Sequence, residues 1–187
     1  IDFLNVSPVN FHAVKEVARR LDNAGYKYLS AEEKLGEVKA GDKFYVTKND
    51  SSIYAFQIGK QTLGEAGFHI ICAHSDSPTF RIKPNAEMTC ERGMTKLNTE
   101  VYGGPIMSTW FDRPLSIAGR VIIKTDDVMH PETRLLKVER PVLLIPNLAI
   151  HFNRQVNDGV KLSKQKDMLP IIGIVNDELE KGNMLMN

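Results

Sequence analysis

The stretch GFHIICAHSDSPTFRIKP, Gly67 to Pro84, carries the strongest pattern in the chain. It opens with an unbroken apolar run, Phe68-His69-Ile70-Ile71-Cys72-Ala73, which meets His74-Ser75-Asp76-Ser77-Pro78. A short apolar run bounded by turn residues reads as a strand buried on both faces. Such strands belong to parallel sheets flanked by helices, and ligands bind beyond their carboxyl ends. His74 and Asp76 therefore fall where an α/β enzyme keeps its chemistry. If the extended geometry continues through them, their side chains point the same way. A histidine beside a carboxylate is a metal ligand with its orienting group, or a general base with one. The competing reading is a helix cap built from Ser75, Asp76 or Ser77. Thr79-Phe80-Arg81-Ile82-Lys83 alternates like a strand and speaks against a helix there.

Around this stretch the chain reads as ordinary globular material. It has 187 residues, 42% hydrophobic and 25% charged, with a net charge of +1. No basic block is present of the kind that nucleic-acid binding by phosphate neutralisation requires. No apolar run approaches the ~18 residues of a membrane span, and Ile1-Asp2-Phe3-Leu4 lacks the regions of a signal peptide. The chain does not begin with Met, and the true N-terminus is expected to be missing. Cys72 and Cys90 form no CxxC pattern; unpatterned cysteines suit a reducing compartment, and Cys72 reads as a small buried hydrophobe.

Ser7 as N-cap and Pro8 at the first helical position open a predicted helix, with Phe11, Val14, Val17, Ala18 and Leu21 at helical spacing and Gly25 as its C-terminal stop. The apolar stripe reads as packing, and His12 beside it as a surface or edge residue. Lys43–Thr47 and Ser52–Gly59 flank Lys48-Asn49-Asp50 as a β-hairpin. After Pro84 the character changes to short strands separated by turns: Thr95–Val101, Leu115–Lys124, Arg134–Val138 and Val142–Ile145. A domain boundary is placed near residues 85–95. The C-terminal residues do not resemble a finished terminus, and the chain is expected to be the front part of a longer protein.

No HExxH, GxSxG, GxxxxGK[ST], GxGxxG or EF-hand pattern occurs. A hydrolytic zinc site normally needs three protein ligands and an open position, and the Gly67–Pro84 stretch supplies one histidine and one carboxylate. Asp126, Asp127, His130 and Glu132 read as a solvated hairpin turn. Asp112 reads as a turn carboxylate near Arg113, with a metal-bridging carboxylate as the alternative. His69 reads as a core or interface residue, and His151, among apolar neighbours, taken alone as a structural histidine.

Five segments in order now become specific: Phe3-Leu4-Asn5-Val6-Ser7-Pro8 with His12-Ala13-Val14; Ala73-His74-Ser75-Asp76-Ser77-Pro78; Lys96-Leu97-Asn98 with Glu100-Val101-Tyr102-Gly103-Gly104-Pro105; Thr109-Trp110-Phe111-Asp112-Arg113 with Ala118-Gly119-Arg120-Val121; and Ile145-Pro146-Asn147-Leu148-Ala149-Ile150-His151. Together they resemble the M18 metalloaminopeptidases, the aspartyl aminopeptidase family, over essentially the whole chain.

The resemblance implies an α/β fold. In it a zinc-exopeptidase (phosphorylase/hydrolase-like) parallel-sheet domain, incomplete here, is interrupted by an inserted β-rich dimerisation domain. Residues 1–90 would be the N-terminal part of the catalytic domain and 91–187 the inserted domain, also incomplete. It implies a cytoplasmic enzyme that carries two zinc ions and releases N-terminal, acidic residues from peptides. It implies a homo-oligomer, a dodecamer built from dimers, with no nucleic-acid or membrane partner. By residue, His74 matches a metal-ligand histidine and Asp76 the carboxylate that orients it. His151 matches a histidine of the inserted domain that reaches a neighbouring subunit's active site. The remaining ligands and the general base are expected beyond residue 187, which leaves Asp112 outside the metal site. Two other readings compete: a non-catalytic relative or assembly module without metals, and a Ser or Cys hydrolase using His74, for which no nucleophile motif exists.

Overall fold

A computed structural model describes residues 1–30, 32–90, 93–174 and 185. The chain forms two compact units, Ile1–Ser77 with Ala118–Lys137, and Pro78–Ile117 with Val138–Asn187.

The first unit is a helix laid against strands. Helix α1 spans Asp2–Val6 and α2 spans Asn10–Asn23. Helix α2 starts two residues later than the Ser7-Pro8 signal predicts. Ser7 is the C-cap of α1, its N–H bonded to Leu4 O, and Val9 is the extended residue that caps α2. The serine is committed to ending one helix and cannot cap the next. The C-terminal stop is as expected. Gly25 has φ +80°, its N–H donates to Asp22 O, and the Tyr26 N–H donates to Leu21 O. This is the Schellman arrangement, which places a left-handed residue just past the helix.

Strands β1 (Lys27–Tyr28), β2 (Lys43–Lys48) and β3 (Ser52–Gln57) form a sheet in that order, β1–β2 parallel and β2–β3 antiparallel. The predicted hairpin is present, and its turn residues Asn49 and Asp50 both have positive φ. That conformation follows strand twist and is one that Asn and Asp tolerate. Among the described residues, Ala13 and Val14 of α2 and Tyr45 of β2 are the buried apolar residues of this unit. Tyr45 Oη donates to Asp22 Oδ1 at 2.8 Å, and Lys43 Nζ donates to Ala24 O at the helix end at 3.1 Å. Hairpin β6 (Ala118–Ile123) and β7 (Glu132–Lys137) joins the same unit. Arg120 stacks over the Phe11 ring and donates to Asn49 O, so one guanidinium ties β6 to both α2 and the β2–β3 turn. A short helix α3, Leu63–Ala66, precedes Gly67.

The second unit is a three-stranded sheet in the order β4 (Thr79–Thr89), β5 (Met94–Tyr102), β8 (Ile171–Ile174). Thr95, Leu97 and Thr99 alternate into the core, where Ile145, Met168 and Leu169 are also buried. Strand β4 runs through Pro84, after which the sequence changes character. The β4–β5 register shifts between Ile82 and Glu87, and a proline without an N–H is tolerated at such a bulge. The composition change near residues 85–95 thus lies within the β4–β5 pairing. Strand β8 was not anticipated. The expected strands Leu115–Lys124 and Val142–Ile145 are shorter or reduced to bridges, Leu115 with Leu143 and Leu144 with Ile171.

Candidate metal centre

The predicted strand Phe68–Ala73 is the main correction. In this structure it forms no strand, and no described strand pairs with it. Its side chains are exposed, Ile71 at 98%; His69 and Cys72, expected inside, are exposed as well. A strand acquires its burial from neighbours on both edges and both faces, and the described residues bring none to this run.

The residues that follow it are nevertheless ordered about one another. His74 Nδ1 lies 3.1 Å from Asp76 Oδ1. The imidazole is 92% exposed and the carboxylate 27%, so the carboxylate is the seated partner and the ring projects outward. Ser75, between them, donates from Oγ to Ser51 O at 3.0 Å. That bond pins the segment to the β2–β3 turn, a link that no sequence pattern signals.

A carboxylate facing Nδ1 favours the tautomer with hydrogen on Nδ1 and leaves Nε2 as the coordinating nitrogen. That donor suits zinc, a borderline cation that takes imidazole nitrogen. The His74–Asp76 pair therefore fits as one zinc ligand with its orienting group. Among the described residues no group of three or more His, Cys, Asp or Glu side chains could hold a metal ion.

The other sequence candidates lie elsewhere. Asp127 pairs with His130 at 2.7 Å, and its Oδ1 accepts from the Met129 N–H. All of these groups are exposed in the β6–β7 connection, as a solvated hairpin turn requires. The His130 hydrogen bond, then the Met129 N–H, hold the Asp127 carboxyl below its ordinary value. Asp112 lies in a turn, as read, and engages the Asn147 N–H through Oδ1 at 2.9 Å. His151 is exposed, within two overlapping turns closed by Phe152 N–H to Ala149 O and Asn153 N–H to Ile150 O. His12 is an edge residue, one of the two placements read from the sequence. It is half-buried, its Nδ1 has no hydrogen-bond partner, and burial, then Lys15 and Lys137, lower its pKa.

The family profile described as Aminopeptidase I zinc metalloprotease (M18) matches residues 3–185. The chain belongs to the M18 aminopeptidase family. It is 52% identical over 186 residues to a probable M18 family aminopeptidase 2 of Clostridium novyi (strain NT), and 54% identical over 186 residues to the protein of that name from Clostridium acetobutylicum. Each match covers all of this chain and 43% of the relative, so the M18 chain studied spans less than half the length of these curated relatives. Among solved structures, a chain from the cryo-EM structure of the Ape4 and Nbr1 complex superposes with a TM-score of 0.87 at 38% identity, covering 100% of this chain and 35% of that one. The S. cerevisiae mApe1 dodecamer superposes with a TM-score of 0.75 at 29% identity, over 94% of this chain and 37% of that one. The M18 assignment and the mixed helix-and-sheet structure agree on an α/β protein. Among the described residues no helix is long and apolar enough to cross a membrane.

Proposed function

We propose that the whole protein is a zinc-dependent aminopeptidase that removes N-terminal residues, acidic ones foremost, from peptides. The observation that carries this reading is the His74–Asp76 contact at the end of the Gly67–Ala73 run, in a chain of the M18 family. His74 would contribute Nε2 to one of two zinc ions, and Asp76 would hold the ring in the ligating tautomer. Zinc, when bound, would supply the charge that activates a water for hydrolysis of the peptide bond. The other ligands and the general base would come from the part of the protein beyond residue 187.

The reading includes a parallel-sheet catalytic domain in which the Phe68–Ala73 run is a buried strand, and an inserted dimerisation domain. In this reading residues 1–90 belong to the catalytic domain and residues 91–187 to the inserted domain. It also includes a cytoplasmic homo-oligomer of dimers, in line with the dodecamer named for the yeast relative. Within it His151 would serve the neighbouring subunit's active site; its exposure on a turn is what supports that role.

Two measurements on the full-length protein test this. The first is zinc content with a screen of aminoacyl chromogenic substrates. Zinc-free protein, or protein inactive on every aminoacyl substrate, would favour the assembly-module reading. The second mixes defective subunits. His74→Ala and His151→Ala are each expected to be inactive alone. In hybrids, the intact metal site of a His151→Ala subunit receives histidine from a His74→Ala subunit, and activity returns in part. Hybrids that form and stay inactive would remove His151 from the mechanism.

A further inference from the structure

Among the described residues Asp112 is one of three non-glycine residues with positive φ, at +55°. The other two, Asn49 and Asp50, form the β2–β3 turn, whereas Asp112 lies in no hairpin. Its backbone and side chain hold one loop from both sides. The Asp112 N–H donates to Ile145 O at 2.9 Å, and Asp112 Oδ1 accepts from the Asn147 N–H at 2.9 Å. Asn147 Oδ1 then accepts from the Leu148 N–H at 2.9 Å. Ile145 is completely buried, and every residue from Pro146 to Phe152 is exposed. The loop thus leaves the core at Ile145 and is clamped over its first residues by one carboxylate. It then turns twice around His151, through Phe152 N–H to Ala149 O and Asn153 N–H to Ile150 O.

We infer that Asp112 is a positioning residue for His151. It sets the direction in which the exposed loop leaves Ile145, and so the place at which the imidazole is presented. An exposed loop loses little packing energy when it pivots, so its direction depends on hydrogen bonds near its root. A left-handed residue is needed there because the same residue must present its N–H to Ile145 and its carboxylate to Asn147. Asp tolerates that conformation better than most residues. The inference rests on the reading that His151 acts at the neighbouring subunit.

The test uses the full-length oligomer, with size-exclusion profile and zinc content followed beside kinetics on a chromogenic aminoacyl substrate. Asp112→Gly keeps the left-handed backbone and removes the carboxylate. Its kcat is expected to fall roughly ten- to a hundredfold, because small misplacements of a reacting group cost that much, with assembly and zinc unchanged. Asp112→Asn keeps an acceptor and the same backbone preference, and is expected to retain kcat within about twofold, as the conservative rescue. Complementation gives the decisive readout. Asp112→Gly subunits mixed with His74→Ala subunits should regain activity, because the latter donate a correctly held His151. Mixed with His151→Ala subunits they should regain none, because both are defective in the same donated group. Wild-type kcat for Asp112→Gly, or rescue by His151→Ala subunits, overturns the inference. If Asp112→Gly does not assemble, Asn147→Ala, which cuts the next bond of the clamp, is expected to fall in the same complementation group, and rescue by His151→Ala subunits overturns the inference equally. If His151→Ala alone has wild-type kcat, the role of His151 fails first and the inference falls with it. If His151→Ala is defective and Asp112→Gly is not, only the positioning role fails.

Discussion

His74 Nδ1 and Asp76 Oδ1 face each other at 3.1 Å, two residues apart, with the ring exposed and the carboxylate largely covered. The pair is directional: Asp76 constrains His74, and the free nitrogen of His74 points away from its partner. In the full-length protein, His74→Ala is expected to lose both zinc and turnover. Asp76→Asn should keep most of the zinc at ambient metal and lose turnover by about 10–100-fold, since outer-shell partners of ligating histidines are worth that much. Zinc analysis and kinetics on the two variants check this; equal zinc loss in both would make Asp76 a ligand.

The exposed run Phe68–Ala73 predicts a substitution whose effect depends on chain length. In the 187-residue chain alone, Ile71→Asp should change stability by no more than about 0.5 kcal/mol, as for other exposed sites, and should reduce binding of a hydrophobic dye. In the full-length protein, where we propose that the run is buried, the same substitution should cost about 4 kcal/mol or more. Denaturant titrations of both lengths decide the point. The short chain is also expected to release no amino acid from any peptide.

Gly25 and Gly103 separate backbone strain from steric conflict. Both have positive φ, +80° and +78°. A Cβ at Gly25 would meet nothing within 4 Å, whereas one at Gly103 would lie 3.3 Å from Pro78 Cα. Gly25→Ala should therefore cost about 1–2 kcal/mol, the left-handed penalty alone. Gly103→Ala should cost more, because the backbone at Pro78, just before β4, must shift to admit the methyl. Equal losses in chemical denaturation would show that the contact is relieved without cost.

Acid should loosen the first unit in two steps. His12 has its pKa lowered from 6.5 by burial, then by Lys15 and Lys137. The folded state binds fewer protons than the unfolded state there, so stability falls as pH drops from about 6.5. Glu16 is lowered from 4.5 to about 2 by hydrogen bonds from Arg19 and Arg20. Its contribution is present above about 4.5 and is lost as pH falls toward 2. His12→Phe removes the first titration and an unpartnered buried Nδ1. It should raise the melting temperature at pH 5.5 more than at pH 8, while Glu16→Gln should flatten only the limb below pH 4.5. Melting curves from pH 2 to 8 on the three proteins test the order.

Local signals in the sequence determined the pieces whose partners lie close along the chain. The hairpin at Asn49-Asp50, the glycine stop after α2, the β5 alternation around Leu97 and the His74–Asp76 pairing all depend on contacts within a few residues or on a period that side-chain geometry imposes. Where a residue had two local options, sequence chose wrongly. Ser7 could cap α2 or end α1, and only the packed helices show that it ends α1. The chain changes character after Pro84, yet β4 runs through it and the β4–β5 register absorbs it as a bulge. The tertiary structure alone decided that Asp112 holds Asn147, that Ser75 is tied to Ser51, and that Arg120 bridges Phe11 and Asn49, because these partners lie far apart along the chain, the nearest pair being Ser51 and Ser75. It also decided that the run Phe68–Ala73, apolar enough to be a central strand, stands exposed. Apolar composition states what a segment can bury, and only neighbouring backbone with free N–H and C=O groups makes it a strand.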